Sequence, residues 1–325
     1  MNQVQDFLDA VKIAGKQTFQ NMTVFPLLAP QNGDPGYLTL EEALAKGFVQ
    51  VTEVDESGSV PELFLRNRGE VSILILEGEE LVGAKQNRVV NATFLIPRKT
   101  ELKLPVSCVE HGRWDYTSRE FKTSDKVMHA SLRRKSQQDV CLNMAAGRGF
   151  QSDQMKIWDD ISGKAHRLKA NAPTRAMSDV YESSKDLLEG YMQRFSLMEC
   201  QVGAIFAING KVLGLECFGY SDTFKRFFEK LLRSYALDAI DMKEGAASKP
   251  MRPEKAHDFF NSVMESTPHA HGSVGSGMFY RIDSWTISGA ALLEQGQVLH
   301  LSAFQKEEPG ESPRVGFQRF SQRRR

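Results

Sequence analysis

The 325-residue chain has no net charge, few cysteines and no long apolar run. Lys and Arg together number 41, as do Asp and Glu, so the whole protein has no electrostatic bias toward nucleic acid or an anionic membrane. No segment approaches the roughly 18 uncharged apolar residues of a membrane-spanning helix. The composition therefore disfavours both a membrane protein and a nucleic-acid-binding protein.

The four cysteines, Cys108, Cys141, Cys200 and Cys217, are too few and too widely spaced for a disulfide framework. The N-terminus, MNQVQDFLDAVKIAG, lacks the basic start and apolar run of a secretory signal. Both absences favour a cytoplasmic location.

Charge is nevertheless distributed unevenly along the chain. Acidic residues dominate between Glu41 and Glu80, and basic residues dominate between Arg113 and Arg175. Two faces of one cleft and two separate solvated surfaces both produce such blocks. Binding of nucleic acid by the basic block is a further alternative, and it predicts strong salt dependence.

Short apolar runs separated by Gly and Pro predict that residues 20–112 are rich in β-strands. Residues 124–198 have helical periodicity instead. We expect one helix capped by Ser124 or Asp125 and another over Met177–Phe195.

The last third, residues 200–305, predicts mixed structure. Asn209-Gly210 separates the apolar runs Gln201–Ile208 and Lys211–Phe218, and Asn-Gly supplies the two positive-φ positions of a tight β-hairpin. Ser221 then begins a long amphipathic helix rich in Phe.

These patterns predict an α+β fold in which a largely antiparallel sheet carries packed helices. We expect residues 1–305 to form a single domain, because no convincing Pro- or Gly-rich linker divides them. Residues 306–325 are polar, basic and poor in apolar side chains, which predicts a disordered tail.

Large polar side chains are unusually dense between Ile73 and Trp114, beside runs that must be buried as strands. A loop rarely needs so many such groups, so the stretch predicts a polar site held on a sheet. The candidate site residues are Glu77, Glu79, Lys85, Gln86, Asn87, Arg88, Asn91, Glu110, Arg113 and Trp114.

Glu77 and Glu79 are the candidate catalytic residues. Alternate residues of a strand share a face, so their carboxylates are expected to lie together. Two close carboxylates raise one pKa and thereby separate an acid from a base, or they bind a divalent cation through oxygen. A solvated, Glu-rich hairpin end gives the same pattern, and both interpretations stay open.

Residues 85–88 and Asn91 are poor strand formers at the start of an apolar run, so strand propensity does not explain them. Their amides suit sugar hydroxyls, and Lys and Arg suit phosphate or carboxylate. Glu110, Arg113 and Trp114 close the stretch, where an Arg can hold phosphate and a Trp can stack on a ring. A polar turn and a loop anchor are the structural alternatives.

Three segments of this chain, ILEGEELVGAKQNRVVN, LPVSCVEHGRW and VGAIFAINGKVLGLECFG, resemble a prokaryotic family with no assigned activity. That family is named for its association with ADP-ribosylglycohydrolases and rhodanese/phosphatase-superfamily proteins. The resemblance covers residues 20–305 and supplies no catalytic residues. It implies a place in processing ADP-ribose or NAD-derived metabolites, or in nucleotide-linked conflict or repair systems.

The expected function is binding, and hydrolytic processing if the Glu pair is catalytic, of a phosphorylated or ribosylated small molecule. A divalent cation is compatible with the Glu pair, and no other cofactor is indicated. The alternative is a non-catalytic binding or scaffold protein in which the same residues form a structural network. Enzymatic activity and oligomeric state stay open at this point.

Overall fold

A computed structural model describes residues 3–30, 33–243 and 251–306. The tail predicted to be disordered therefore lies, apart from Lys306, outside the described residues.

The first third is dominated by strands, as its short apolar runs predict. Two short helices, α1 (Gln3–Asp9) and α2 (Leu40–Ala45), accompany them. The strands are β1 (Lys12–Ile13), β2 (Gln17–Phe19), β3 (Met22–Leu28), β4 (Tyr37–Thr39), β5 (Val49–Glu53), β6 (Glu62–Asn67), β7 (Ser72–Ile75), β8 (Glu79–Gly83), β9 (Arg88–Val90), β10 (Phe94–Ile96), β11 (Thr100–Cys108) and β12 (Phe121–Val127).

Helices fill the middle of the chain, and the last third mixes strands with helices. The helices are α3 (Ala130–Ala145), α4 (Gln154–Arg167), α5 (Met177–Ser183), α6 (Lys185–Met192), α7 (Ser221–Asp241) and α8 (Pro253–Met264). The remaining strands are β13 (Gln201–Ile208), β14 (Lys211–Phe218), β15 (Pro268–Gly272), β16 (Met278–Asp283), β17 (Ile287–Glu294) and β18 (Gln297–Gln305).

The described strands form three sheets. One has six strands in the order β12-β8-β9-β11-β6-β5, and a small one has the order β10-β7-β4. The third has nine strands in the order β1-β3-β13-β14-β18-β17-β16-β15, with β2 added to β3. Every neighbouring pair is antiparallel except β4 with β7, so the predicted α+β fold with a largely antiparallel sheet is confirmed.

The predicted hairpin is confirmed at the centre of the nine-stranded sheet. Asn209 and Gly210 take φ values of 52° and 73° between β13 and β14. The Phe-rich face of α7 packs on this hairpin, where the rings of Phe206 and Tyr235 stack 3.9 Å apart. Helix amphipathicity therefore predicted the packing of α7 correctly.

Two helix predictions need correction. Residues 121–127 form strand β12 instead of the start of a helix, because they pair with β8, and α3 begins later with His129 as its N-cap. The helix predicted over Met177–Phe195 is divided into α5 and α6 at Ser184, whose backbone (φ −102°, ψ 5°) interrupts the first helix. Tertiary strand pairing and a local backbone break outweigh helical periodicity at these points.

Candidate functional site

Three loops meet at one end of the six-stranded sheet. They are residues 54–61 between β5 and β6, residues 84–87 between β8 and β9, and residues 109–120 between β11 and β12. Antiparallel pairing brings them together, because Arg88 lies opposite Cys108 in the register of β9 and β11. The resulting loop-end cluster consists of Glu53, Lys85, Gln86, Asn87, Arg88, Cys108, Glu110, Arg113 and Trp114.

The β11–β12 loop is held in place by the segment that leads into α5. The Gly112 N–H donates to the Thr174 carbonyl at 2.7 Å, and the Met177 N–H donates to the Val109 carbonyl at 2.8 Å. A Cβ on Gly112 would lie 2.8 Å from the Thr174 oxygen, so only glycine fits this close approach. The loop that carries Glu110 and Arg113 is therefore fixed to the segment before α5 by backbone hydrogen bonds and close packing.

Glu110 and Arg113 form the best-connected ion pair of the cluster. Arg113 Nη2 lies 2.6 Å from Glu110 Oε2 and 3.1 Å from Asn87 Oδ1, and the Asn87 N–H donates to Glu110 Oε2 at 3.0 Å. Burial alone raises the pKa of Glu110, but the hydrogen bonds from Arg113 and Asn87 outweigh burial and hold this pKa below its usual value. Glu110 is therefore a fixed anion that orients its neighbours.

Gln86 links the cluster's interior. Its Oε1 accepts hydrogen bonds from Arg88 Nη1 at 3.1 Å and from the Cys108 thiol at 3.0 Å, and its Nε2 donates to the Glu110 carbonyl at 2.9 Å. Cys108 is fully buried, and burial raises the pKa of its thiol. Its environment suits a packed residue rather than a thiolate nucleophile.

Arg88 is fully buried yet incompletely paired. Its Nη2 lies 3.8 Å from Glu53 Oε1, too far for a hydrogen bond. Arg88 Nε, Arg88 Nη2 and Glu53 Oε2 have no hydrogen-bond partner among the described residues. Two donor atoms of Arg88 and one acceptor atom of its neighbour Glu53 are thus buried without partners among the described residues, which is costly unless another group binds there.

Aromatic rings form the outer wall of the cluster. Lys85 Nζ lies 5.3 Å from the centre of the Trp114 ring and 5.1 Å from that of Tyr116, and the Arg88 guanidinium lies 5.7 Å from that of Trp114. Trp114 is 44% exposed and Tyr116 is 51% exposed, so the rings border solvent while the cations lie behind them.

Glu77 lies outside this cluster, in a different set of buried polar groups. Its Oε2 accepts hydrogen bonds from Gln137 Nε2 at 3.1 Å and Ser302 Oγ at 3.2 Å, and burial raises its pKa to about 7. The buried network to which it belongs consists of Glu77, Thr93, Arg133, Gln137, Glu216, Tyr235, His300 and Ser302.

Glu216 is the centre of the buried network. Its Oε1 lies 2.5 Å from Arg133 Nη2 and accepts from the Tyr235 hydroxyl at 2.9 Å, and its Oε2 lies 3.1 Å from His300 Nε2. Burial raises the pKa of Glu216, but the charge of Arg133 and the contacts with His300 and Tyr235 together outweigh burial, so this pKa falls below its usual value. The Arg133 guanidinium also lies over the buried rings of Tyr235 and Phe304, at 5.7 and 5.5 Å.

Glu79 and Asn91 occupy two further environments. Glu79 is fully buried and pairs with Lys230 Nζ at 3.0 Å. Asn91 Nδ2 donates to the Phe150 carbonyl at 2.8 Å, and Asn91 Oδ1 accepts from the Ser107 hydroxyl at 2.8 Å. The structure thus brings seven predicted site residues together and places Glu77, Glu79 and Asn91 with other partners.

The expected shared face of Glu77 and Glu79 is not formed. Glu77 lies in a turn before β8, and Gly78 between the two carboxylates has a φ of 77°. Strand alternation therefore does not apply across this pair, and the two side chains bond to different partners.

Sequence reasoning missed Glu53, the acidic neighbour of Arg88. A signal for it exists, because Val49, Val51 and Glu53 alternate on the buried face of β5. A carboxylate at the third inward position of such a strand indicates a buried charge that needs a partner.

Two further properties bear on the class of protein. Within residues 3–30, 33–243 and 251–306, no three or more His, Cys, Asp or Glu side chains are grouped so that they could hold a metal ion. No helix in the described part of the chain is long and apolar enough to cross a bilayer.

The fold and the site define an α+β protein that presents a polar, aromatic-edged cluster at one end of an antiparallel sheet. Residues 10–304 match the family model of the ARG and Rhodanese-Phosphatase-superfamily-associated Protein domain (ARPP-1), and the chain belongs to this family. The family resemblance found in the sequence is thereby confirmed. Comparison with curated proteins and comparison with solved structures each returned no match.

Proposed function

We propose that the loop-end cluster binds a phosphorylated or ribosylated small molecule of the ADP-ribose or NAD-derived class. One observation carries this proposal. The unpaired donors of Arg88 and the unpaired acceptor of Glu53 lie behind the half-exposed ring of Trp114. A ligand there satisfies groups that the described residues leave without partners.

The chemistry of these groups matches the parts of such a ligand. The Nε and Nη2 donors of a guanidinium form a planar pair that fits two oxygens of a phosphate. Glu53 Oε2 accepts a hydrogen bond from a ribose hydroxyl. The Trp114 ring supplies a surface on which a flat base can stack.

The β5–β6 loop controls access to Arg88. Lys85 Nζ donates to the carbonyls of Glu56 and Ser57, both at 2.7 Å, and so holds the loop against the cluster. Opening this loop exposes Arg88 and frees the Lys85 ammonium as a further phosphate-binding cation. Ligand entry is thus coupled to release of Lys85.

Hydrolytic processing is a separate part of the proposal, with Glu77 and Glu79 as its candidate groups, and it requires a substrate to reach them, because both are buried outside the loop-end cluster. Glu77 has a pKa of about 7 and an Oε1 without a partner among the described residues, which suits a proton carrier at neutral pH. Glu79 already has its charge compensated by Lys230. Chromatography of ADP-ribose incubated with the protein, with and without Mg²⁺, tests this part. We expect wild type to hydrolyse ADP-ribose and Glu77→Gln to lose this activity.

Isothermal titration with ADP-ribose and NAD tests binding. We expect Arg88→Met to weaken binding at least tenfold, because it removes the unpaired donors. Arg98→Met, at an exposed position in the turn before β11, is the matched control and should stay within twofold of wild type. If neither ligand gives binding heat, with or without Mg²⁺, the proposal is contradicted.

A non-catalytic scaffold is the second candidate, favoured because Gln86, Asn87, Glu110 and Arg113 bond largely to one another. Urea unfolding of Gln86→Ala separates the two candidates. In the free protein this change costs about 1–3 kcal/mol per unpaired buried group under both candidates, but only a ligand pocket also makes wild type more stable when ADP-ribose is added and makes Gln86→Ala respond less to it. Asn91→Ala is the reference for a structural loss, since Asn91 bonds to protein groups.

A further inference from the structure

A second concave site lies where α3 faces β16, β17 and the end of β18. It is a cavity of about 340 Å³, within the size range of small-molecule sites. Its charged lining residues, Arg134, Lys135, Arg281, Asp283 and Lys306, define the basic pocket. They belong neither to the loop-end cluster nor to the buried network.

Among the described residues, the cations that line the basic pocket outnumber its carboxylates, although Lys135 is already paired with Asp160 at 2.5 Å. Asp283 is the carboxylate shared by Arg281 and Lys306, with N–O distances of 3.3 and 2.5 Å. One carboxylate cannot neutralise two cations. Arg281 Nε, in addition, has no hydrogen-bond partner among the described residues. The pocket therefore attracts an anion that can accept hydrogen bonds.

An exposed aromatic ring belongs to the same corner of the molecule. Trp285 is 91% exposed, in the turn between β16 and β17. Lys306 holds this turn, because its Nζ donates to the Ser284 carbonyl at 2.6 Å and its N–H donates to the Thr286 carbonyl at 2.8 Å. Trp285 does not line the cavity but follows the lining residue Asp283 by two positions, and so large an exposed apolar ring there indicates a recognition surface.

We propose that the basic pocket binds a mononucleotide, with its phosphate held by Arg281 and Lys306 and its base stacked on Trp285. Guanidinium and ammonium groups are the usual phosphate partners, and indole rings stack on bases regardless of sequence. A cavity of this volume suits a single nucleotide rather than a strand. This site is independent of the function proposed for the loop-end cluster.

Fluorescence of Trp285 tests the proposal directly, because the chain has only three Trp residues. The full chain carrying Trp114→Phe and Trp158→Phe leaves Trp285 as the reporter, so binding at the loop-end cluster gives no Trp signal of its own. We expect AMP to quench Trp285 saturably, and inorganic phosphate or adenosine alone to bind at least tenfold more weakly. Arg281→Gln in this background should weaken AMP binding at least tenfold.

Lys225→Gln, which removes an exposed charge on α7, is the matched control and should leave the affinity within twofold. Absence of saturable quenching, equal affinity in Arg281→Gln, or binding of an oligonucleotide but not of AMP overturns the proposal. Should the double Trp variant fail to fold by circular dichroism, equilibrium dialysis of labelled AMP against Arg281→Gln and wild type distinguishes the same outcomes. The AMP measurements do not depend on whether Arg88→Met loses ADP-ribose binding. The proposal for the basic pocket and the proposal for the loop-end cluster can therefore fail independently.

Discussion

The loop-end cluster and the buried network each enclose a fully buried arginine, but they differ in what separates that arginine from solvent. Arg133 contacts Glu216 directly and lies between the buried rings of Tyr235 and Phe304. Arg88 lies 3.8 Å from Glu53 and behind the half-exposed Trp114.

Both regions leave some donors and acceptors unpaired among the described residues, so incomplete pairing alone does not mark a binding site. The boundary does. The buried network is surrounded by core side chains, whereas the cluster is closed by a loop and two exposed rings. Access, rather than charge density, distinguishes a structural role from a binding role here.

The strongest test of this contrast is the same substitution at both arginines, beginning with Arg133→Met. This change leaves the buried Glu216 carboxylate without its ion-pair partner. Breaking a buried pair in this way typically costs about 3–5 kcal/mol. Urea unfolding should show such a loss, and a variant as stable as wild type contradicts the structural role of the network.

Arg88→Met should have a smaller effect on folding, about 1–3 kcal/mol, because the hydrogen bonds of Arg88 within the described part of the chain go to Gln86 and its distance to Glu53 is too long for a hydrogen bond. Parallel urea titrations of the two Met variants measure the difference. Equal losses would remove the distinction between the regions.

Glu77→Gln tests the electrostatics of the buried network. Because burial raises the pKa of Glu77 from 4.5 to about 7, the folded state binds an extra proton between these values, and the contribution of Glu77 to stability falls as pH rises through that range. Gln does not titrate, so the variant does not lose stability in this way as pH rises. The unfolding free energy of Glu77→Gln relative to that of wild type should therefore increase from pH 5 to pH 8 by on the order of 2 kcal/mol.

Unfolding free energies at the two pH values measure this change. Glu199→Gln, at an exposed position, is the control and should show no such pH dependence. A Glu77→Gln difference that is the same at both pH values means that Glu77 stays ionised in the folded protein.

The smallest expected effect concerns closure of the β5–β6 loop. Gly58 has a φ of 78°, and a Cβ there would lie 3.2 Å from Lys85 Cδ and 3.4 Å from Trp114 Cζ2. Gly58→Ala should cost about 1 kcal/mol and speed hydrogen exchange in the loop. Gly147→Ala is a matched control, because Gly147 has a φ of 70° with nothing within 4 Å of its Cβ position.

Local pattern predicted the loop-end cluster because its members are near neighbours in sequence or in strand register. Residues 85–88 and 110–114 are each contiguous, and the pairing of Arg88 with Cys108 joins them. The same local reasoning failed for Glu77 and Glu79, since the positive φ of Gly78 breaks the strand on which alternation depends.

The buried network could not be predicted from the sequence in this way. Arg133, Glu216 and His300 are far apart along the chain and meet only because α3 packs near β14 and β18. Helix and strand periodicity fixes which face of an element is buried, but it does not say which distant element that face meets. Glu216 and His300 therefore carried no local sign of their role.

The position of β3 within the nine-stranded sheet has a consequence for how the chain is made. One edge of β3 (Met22–Leu28) pairs with the nearby strands β1 and β2, but its other edge pairs with β13, with Thr23 opposite Ala207, and β13 in turn pairs with β14. The second edge of this early-synthesised strand therefore has no partner until β13 has been synthesised. Such distant pairing slows folding, so we expect the nascent protein to depend on protection of this segment until synthesis is nearly complete.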